Sequence, residues 1–328
     1  MIVMIVVASN RLVLQIYRGS MLCFKPKAIT SKGESFLMEV APSYQLAFHH
    51  SYGYFDDISD TDWKLYYQSP ALAAEHYRWD DHDSKADETA ASWIFFNWDP
   101  YFQCPHLRKI GGLGGGSKWT CDVERIKKVV GRRRATDAST SRCLVYSIGS
   151  HGNYRWEDGL YDVLGNICEI HIFDPDPFDR PEMVQKNMVF HQWGLGSSYS
   201  IEWMRRREGK GAFLSFLEMQ QRLGHENRTI DLFKIDCEIC EWHSYKDWIS
   251  ADIRQIMIET HELPVAGKEK RTAFGILPAV AASEVFDTFK QHGFALYSKE
   301  VNTNKGLGRS SEWSFLKLHP DFFQVQQN

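Results

Sequence analysis

The run Ile230-Asp-Leu-Phe-Lys-Ile-Asp-Cys-Glu-Ile-Cys-Glu241 gathers the residues of this chain best suited to do chemistry. It reads as a buried strand that ends in acid, with Asp236, Glu238 and Glu241 crowded at its C-terminal end. Carboxylates at that place sit at the mouth of an α/β sheet, where ligands bind. The same run carries Cys237-x-x-Cys240, a spacing shared by redox pairs and half zinc sites. Glu238 and Glu241 oppose thiolate formation in their neighbours. Zinc needs two further ligands, yet only His243 is close and no second C-x-x-C exists. The two cysteines are therefore expected to be packing thiols, and no metal ligand set is assigned.

Upstream, a strand over Leu144–Ile148 runs into the loop Gly149-Ser-His-Gly-Asn153. Gly149 and Gly152 let the backbone turn tightly and approach a ligand closely. A second strand, Glu169–Phe173, ends at Asp174, where an acid can hold the ribose hydroxyls of a nucleoside. The loop lacks the full G-x-G-x-x-G fingerprint, so its weight comes from its order with Asp174 and the acid-tipped strand. The glycine-rich stretch Gly111–Lys118 fails the phosphate-loop pattern, because Ser117 precedes Lys118, and reads as a flexible loop near the sheet mouth. Gly194–Ser198 lacks G-x-S-x-G, so no hydrolase elbow is present. His151, His191 and His261 fall at the same predicted edge, whereas His171 lies inside a strand. Asp236, Glu238 and His261 are the candidate bases, His261 because it closes a strand together with Glu259.

From Cys143 onward, short apolar strands alternate with helical stretches, which argues for a parallel sheet with helices on both faces. A third strand is expected at Met188–His191 and a helix over Phe213–Leu223, closed by Gly224. The fourth strand is Ile230–Ile235, and the fifth is Gln255–Glu259, closing at Thr260-His261. A helix over Ala281–Gln291 leads to Gly293, and the strands Phe294–Ser298 and Trp313–Lys317 read as an antiparallel edge. The fold class expected is α/β: a doubly wound, mostly parallel, seven-stranded Rossmann-like sheet with an antiparallel C-terminal edge and an irregular N-terminal extension.

A chain of 328 residues has ample material for a core. Its net charge of −4 creates no global basic field, so no nucleic-acid partner is expected. Lys127-Lys128 and Arg132-Arg133-Arg134 are local and read as a solvated helix end or loop. Seven cysteines are too few and scattered for a disulfide scaffold. Cys143 and Cys168 begin strands and read as small hydrophobes, while Cys104 and Cys121 could pair if the chain is exported. Residues 1–24 read either as a signal or anchor segment or as an ordinary strand or truncated start; membrane association would come only through them. Residues 25–140 form an accessory region and residues 141–328 the sheet domain.

These elements resemble the class I S-adenosylmethionine-dependent methyltransferases, in particular the FkbM-like and eukaryotic methyltransferase-like group. The resemblance rests on Cys143–Gly149, Cys168–Asp174, Ile230–Glu238 and Ile258–His261, and upstream on Gly53–Ile58, Trp63 and Gly115–Asp122. It implies S-adenosylmethionine as cofactor, with Gly149, Ser150 and Gly152 passing under its methionine portion. Asp174 would hold the ribose, Glu157 would complete the pocket, and Asp236 and Glu238 would face the methionine end and the acceptor. The implied reaction is methylation of an oxygen on a glycan or small metabolite. The group usually has Gly where this chain has Ile239, and an acid near Gly115, which opens a second reading: a catalytically weakened binding protein on the same fold. A C-x-x-C redox or zinc protein is the third. The compartment expected is the cytoplasm or the secretory pathway, membrane-anchored or Golgi-type if residues 1–24 act as an anchor.

Overall fold

Two strands made almost wholly of buried residues set the centre of the molecule. In the computed structural model, which describes residues 5–8, 11–14, 42–66, 98–136, 142–197, 211–238, 240–261, 278–302 and 310–324, the strands are numbered in chain order. β1 (Ile5–Ala8) and β2 (Arg11–Leu14) come first, then β3 (Leu107–Ile110) and β4 (Lys118–Cys121). β5 (Cys143–Ile148), β6 (Cys168–Phe173) and β7 (Met188–His191) follow. After β8 (Trp193–Leu195) and β9 (Ala212–Leu214) come β10 (Ile230–Ile235) and β11 (Ile253–His261). β12 (Phe294–Val301) and β13 (Ser310–Lys317) end the series.

The main sheet has seven strands in the order β12-β13-β11-β10-β5-β6-β7. β11, β10, β5, β6 and β7 are mutually parallel. β13 runs antiparallel to both β11 and β12, so it lies inside the edge that β12 closes. Every residue of β5 and β10 is buried, as parallel strands with both faces covered require. Their polar members are paired: Asp231 accepts both Arg133 guanidinium nitrogens and the Leu144 amide. The chain leaves β5 towards β6 and β7 on one side and returns to β10 on the other. The C-terminal ends of β5 and β10 are thus the topological switch point, where open α/β sheets bind ligands.

The expected seven-stranded mixed sheet is therefore present. The helix expected from Phe213 instead begins at Phe216, and Phe213 and Leu214 belong to β9. Ser215 sets the boundary, its hydroxyl accepting the Glu218 amide while the Glu218 carboxylate accepts the Ser215 amide, a capping box that orders the first turn. Gly224 ends the helix in the left-handed region.

Residues 39–328 form one compact unit. Its upstream part belongs to the same buried cluster as the sheet: Trp63 and Phe102 pack against Phe322 of the C-terminal helix Pro320–Gln324, and Phe55 against Trp63 and Phe102. The basic clusters lie on the helix Arg125–Thr136 and are tied to acids, Lys128 and Arg132 to Asp56 and Arg133 to Asp231. Within Met1–Met38, β1 and β2 pair antiparallel, with Ala8 opposite Arg11. The rest of the segment 1–24 lies outside the described residues, as does Ile239. Among the described residues no helix is long and apolar enough to cross a membrane.

The packing-thiol reading of Cys143, Cys168, Cys237 and Cys240 is overturned. Disulfides join Cys104 to Cys121, Cys143 to Cys168 and Cys237 to Cys240. Cys143 and Cys168 are register partners on neighbouring strands, with Cα atoms 4.3 Å apart. Strand alternation marks both as buried but does not say that they stand opposite each other.

Candidate active site

β5 ends in a turn that presses directly against the tip of β10. Gly149 has φ +75°, and a Cβ there would lie 1.7 Å from the Asp236 carbonyl oxygen. Only glycine allows this approach. Beneath the turn lies Lys234, whose ammonium donates to the Gly149 carbonyl oxygen at 2.8 Å and reaches Glu157 Oε1 at 3.4 Å. Glu157 is 0% exposed and also accepts the Ser147 hydroxyl. It sits under the loop in a hydrogen-bonded platform.

Asp174, at the end of β6, turns its carboxylate onto the same loop. Its Oδ2 accepts the amides of Ser150 and His151 at 2.9 and 2.8 Å, and its Oδ1 accepts the Asp176 amide at 3.0 Å. Asp174 is therefore an anchor for the loop. A cleft of about 560 Å³ opens beside Gly152, walled by Gly115, Asn153, Arg155 and Arg180, a volume in the range of small-molecule sites. Gly115 reaches this edge because the glycine-rich stretch is the turn of the β3–β4 hairpin, held by the Asn153 amide donating to the Gly115 carbonyl.

The tip of β10 gathers charge inside the core. Lys118, at the start of β4, is buried and donates to both oxygens of Glu312 at 2.6 Å and to Asp236 Oδ2 at 3.3 Å. Glu259 Oε2 lies 3.6 Å from the same ammonium. Burial alone would lower the Lys118 pKa, but Glu312, Asp236 and Glu259 outweigh it and hold the amine protonated. Burial would raise Asp236, yet Lys118, Lys234 and His261 hold its carboxyl well below the usual range. His261 donates through Nδ1 to Glu241 Oε1 at 2.8 Å, and the same oxygen accepts the His261 amide. Burial would lower this imidazole, but the hydrogen bond to Glu241 and the charges of Glu241, Glu259 and Asp236 raise it to about 9. Glu238 takes φ +54° and is the exposed member, with 69% of its side chain in solvent. The Cys237–Cys240 disulfide brackets it, and Cys240 opens the helix Cys240–Trp248.

Of the sequence-predicted residues, Asp236, Glu238 and His261 converge at one point, and Gly149 adjoins it. Ser150 and Asp174 lie together in the loop, Gly152 lines the neighbouring cleft, and Glu157 lies below. Lys118, Lys234 and Glu312 escape sequence reasoning altogether. Their only signal is that each is a charged residue set among residues patterned for burial, which demands a partner that spacing cannot identify.

A doubly wound sheet with a single antiparallel strand beside its edge and an acid-tipped fourth core strand defines the class I methyltransferase fold. The chain belongs to the methyltransferase-domain family, whose model matches residues 45–317. Among solved structures it is similar to Burkholderia thailandensis 1,6-didemethyltoxoflavin-N1-methyltransferase, crystallised with 1,6-didemethyltoxoflavin and S-adenosylhomocysteine. The two are 12% identical over 60% of this chain and 79% of that one, at a TM-score of 0.30. It is also similar to Aeropyrum pernix fibrillarin with natively bound S-adenosyl-L-methionine, 9% identical over 65% of this chain and 86% of that one, at a TM-score of 0.28. Among curated proteins none matches this chain.

Proposed function

We propose that this chain binds S-adenosylmethionine and transfers its methyl group to an oxygen of a small metabolite or glycan. One observation carries the reading: the Gly149 turn and the acid tip of β10 meet at the switch point of a methyltransferase-family sheet. The residues present fit such a cofactor. The turn carries Gly149, Ser150 and Gly152 out from the end of β5, the Asp174 carboxylate anchors it at the end of β6 where a ribose would be met, and Asp236 supplies negative charge beside Gly149. Glu157 supports the turn from below through Lys234. When bound, the cofactor supplies an electrophilic methyl group on a sulfonium.

The protein's part is orientation and charge, because a methyl displacement gains most from alignment and proximity. Asp236 is held ionised and favours the cofactor's positive charge. An acceptor hydroxyl must lose its proton to a base. His261 is protonated at neutral pH and is a poor base there, so Glu238, the exposed acid of the tip, is assigned that role with Asp236 and His261 positioning the charges around it. The Cys143–Cys168, Cys104–Cys121 and Cys237–Cys240 disulfides favour the secretory pathway over the cytoplasm, since such bonds persist in oxidising environments.

Calorimetry of the folded chain with S-adenosylmethionine and S-adenosylhomocysteine tests the cofactor, with saturable binding expected. No binding at millimolar ligand by protein confirmed to be folded would remove it. Mass spectrometry after incubation with labelled cofactor and an acceptor panel tests the product, where a label on nitrogen or carbon would remove the oxygen assignment. Ile239→Gly is expected to raise turnover on that panel. No gain favours a binding protein on the same fold.

A further inference from the structure

The imidazole of His261 is held on one side only. Its Nδ1 meets Glu241 Oε1 at 2.8 Å, which directs Nε2 the other way, into a ring of carboxylates. Nε2 lies 3.8 Å from Asp236 Oδ1, 3.6 Å from Glu259 Oε1 and 3.6 Å from Glu238 Oε2. None of these is a hydrogen bond at such a distance. Among the described residues nothing hydrogen-bonds Nε2, although the side chain is only 6% exposed. A buried imidazole nitrogen aimed between acids it does not touch marks a place shaped for something between them.

The spacing fits a cation. Donor atoms of Asp236, Glu259 and His261 all lie within 4.8 Å of one another. Tetrahedral ligands at bond lengths of about 2.0–2.1 Å stand about 3.4 Å apart, and Nε2 lies 3.8 Å from Asp236 Oδ1 and 3.6 Å from Glu259 Oε1. Lys118 engages the outer oxygens, Asp236 Oδ2 and Glu259 Oε2, and leaves Oδ1 and Oε1 on the His261 side. The Asn302 amide donates to Glu259 Oε1 at 2.8 Å and steadies it. The Glu241–His261 hydrogen bond is the carboxylate–imidazole arrangement that orients metal-ligating histidines. Two carboxylates with one imidazole suit a zinc-like transition metal, whereas magnesium and calcium prefer oxygen alone. Three protein ligands leave an open position, and metal binding displaces the Nε2 proton that His261 carries without it.

We propose that Asp236, Glu259 and His261 bind one divalent transition-metal cation of zinc type at the ends of β10 and β11, with Glu241 as a positioning residue. The site stands on these side chains alone and does not depend on the cofactor reading.

The test uses the full chain purified without a polyhistidine tag, stripped with chelator and dialysed against zinc or cobalt(II). Elemental analysis is expected to return one metal per chain, and cobalt(II) to show the visible absorption of a four-coordinate site with nitrogen ligation. His261→Gln and Glu259→Gln are each expected to weaken binding at least about 100-fold, and Glu241→Gln by about 10–100-fold. Two controls separate this site from neighbouring donor groups. The double variant Cys237→Ser, Cys240→Ser removes the adjacent Cys237–Cys240–Glu241 set, and His171→Gln removes the Glu169–His171–His225 set. Both are expected to retain the metal. Wild-type protein that is folded by circular dichroism yet takes up no stoichiometric zinc or cobalt would overturn the proposal, and so would metal that persists in His261→Gln. The wild-type spectrum decides the matter even if a variant fails to fold.

Discussion

His261 and His171 sit on parallel strands of the same sheet, both are buried, and they are driven to opposite charge states. His261 ends β11 among Glu241, Glu259 and Asp236, and its pKa rises to about 9. His171 stands inside β6, where burial, with His191 and His225 adding to it, lowers its pKa to about 3. Its Nδ1 shares a hydrogen bond with His191 Nε2 at 2.9 Å, and the two rings stack, as do those of His191 and Trp193. Burial pushes both imidazoles the same way. The difference is who answers: carboxylates at a strand end, other imidazoles in the middle of a sheet face. One region concentrates charge for use and the other excludes it.

The comparison can be broken most severely at the acidic tip. Asp236→Asn is expected to lower methyl transfer about 1,000-fold, within the span for loss of an acid–base or charge-stabilising group, as measured by kcat with labelled cofactor. A loss under about tenfold would move the chemistry elsewhere. Gly149→Ala joins a strained φ to a backbone overlap with Asp236, so a destabilisation of about 3 kcal/mol is expected in urea unfolding. Cofactor binding should fall with it.

The neutral stack can be broken by acid. The folded pKa values of His171 and His191, about 3 and about 4, lie below the ordinary 6.5. Between about pH 4 and pH 6.5 the unfolded chain therefore binds more protons, so stability rises with pH across this window and is lost as pH falls. A loss of about 2.5 kcal/mol for each of the two histidines between pH 7 and pH 4.5 is expected, and His171→Phe should flatten that part of the slope. An unchanged slope would show that the stack carries no such burden. The smallest change expected is at a place remote from the charged tip. Replacing Cys143 and Cys168 together by Ser should cost about 2 kcal/mol and leave kcat untouched. A drop in kcat would show that the disulfide, too, shapes the site.

Much of the sheet was legible because buried parallel strands announce themselves as apolar runs. Ile230–Ile235 and Met188–His191 fall where their patterns put them. Phe213-Leu214 did not, because two apolar residues before a cap satisfy a helical spacing as well as a short strand. The site was legible where it is local, as at Gly149–Gly152, Asp174 and the acids after β10. It was illegible where it depends on pairing: Lys118, Glu259 and Glu312 come from three strands distant in sequence and meet only because β4, β11 and β13 are neighbours.

Sequence alone determined the element types, the order of glycine turn and acids, and hence the class of fold. Those depend on short-range periodicity and on residues with special backbone freedom. Tertiary structure alone decided which charges face each other, which cysteines are bonded, and that one histidine is charged and another neutral. Such outcomes follow from distances between groups far apart in the chain and from how deeply each is removed from water.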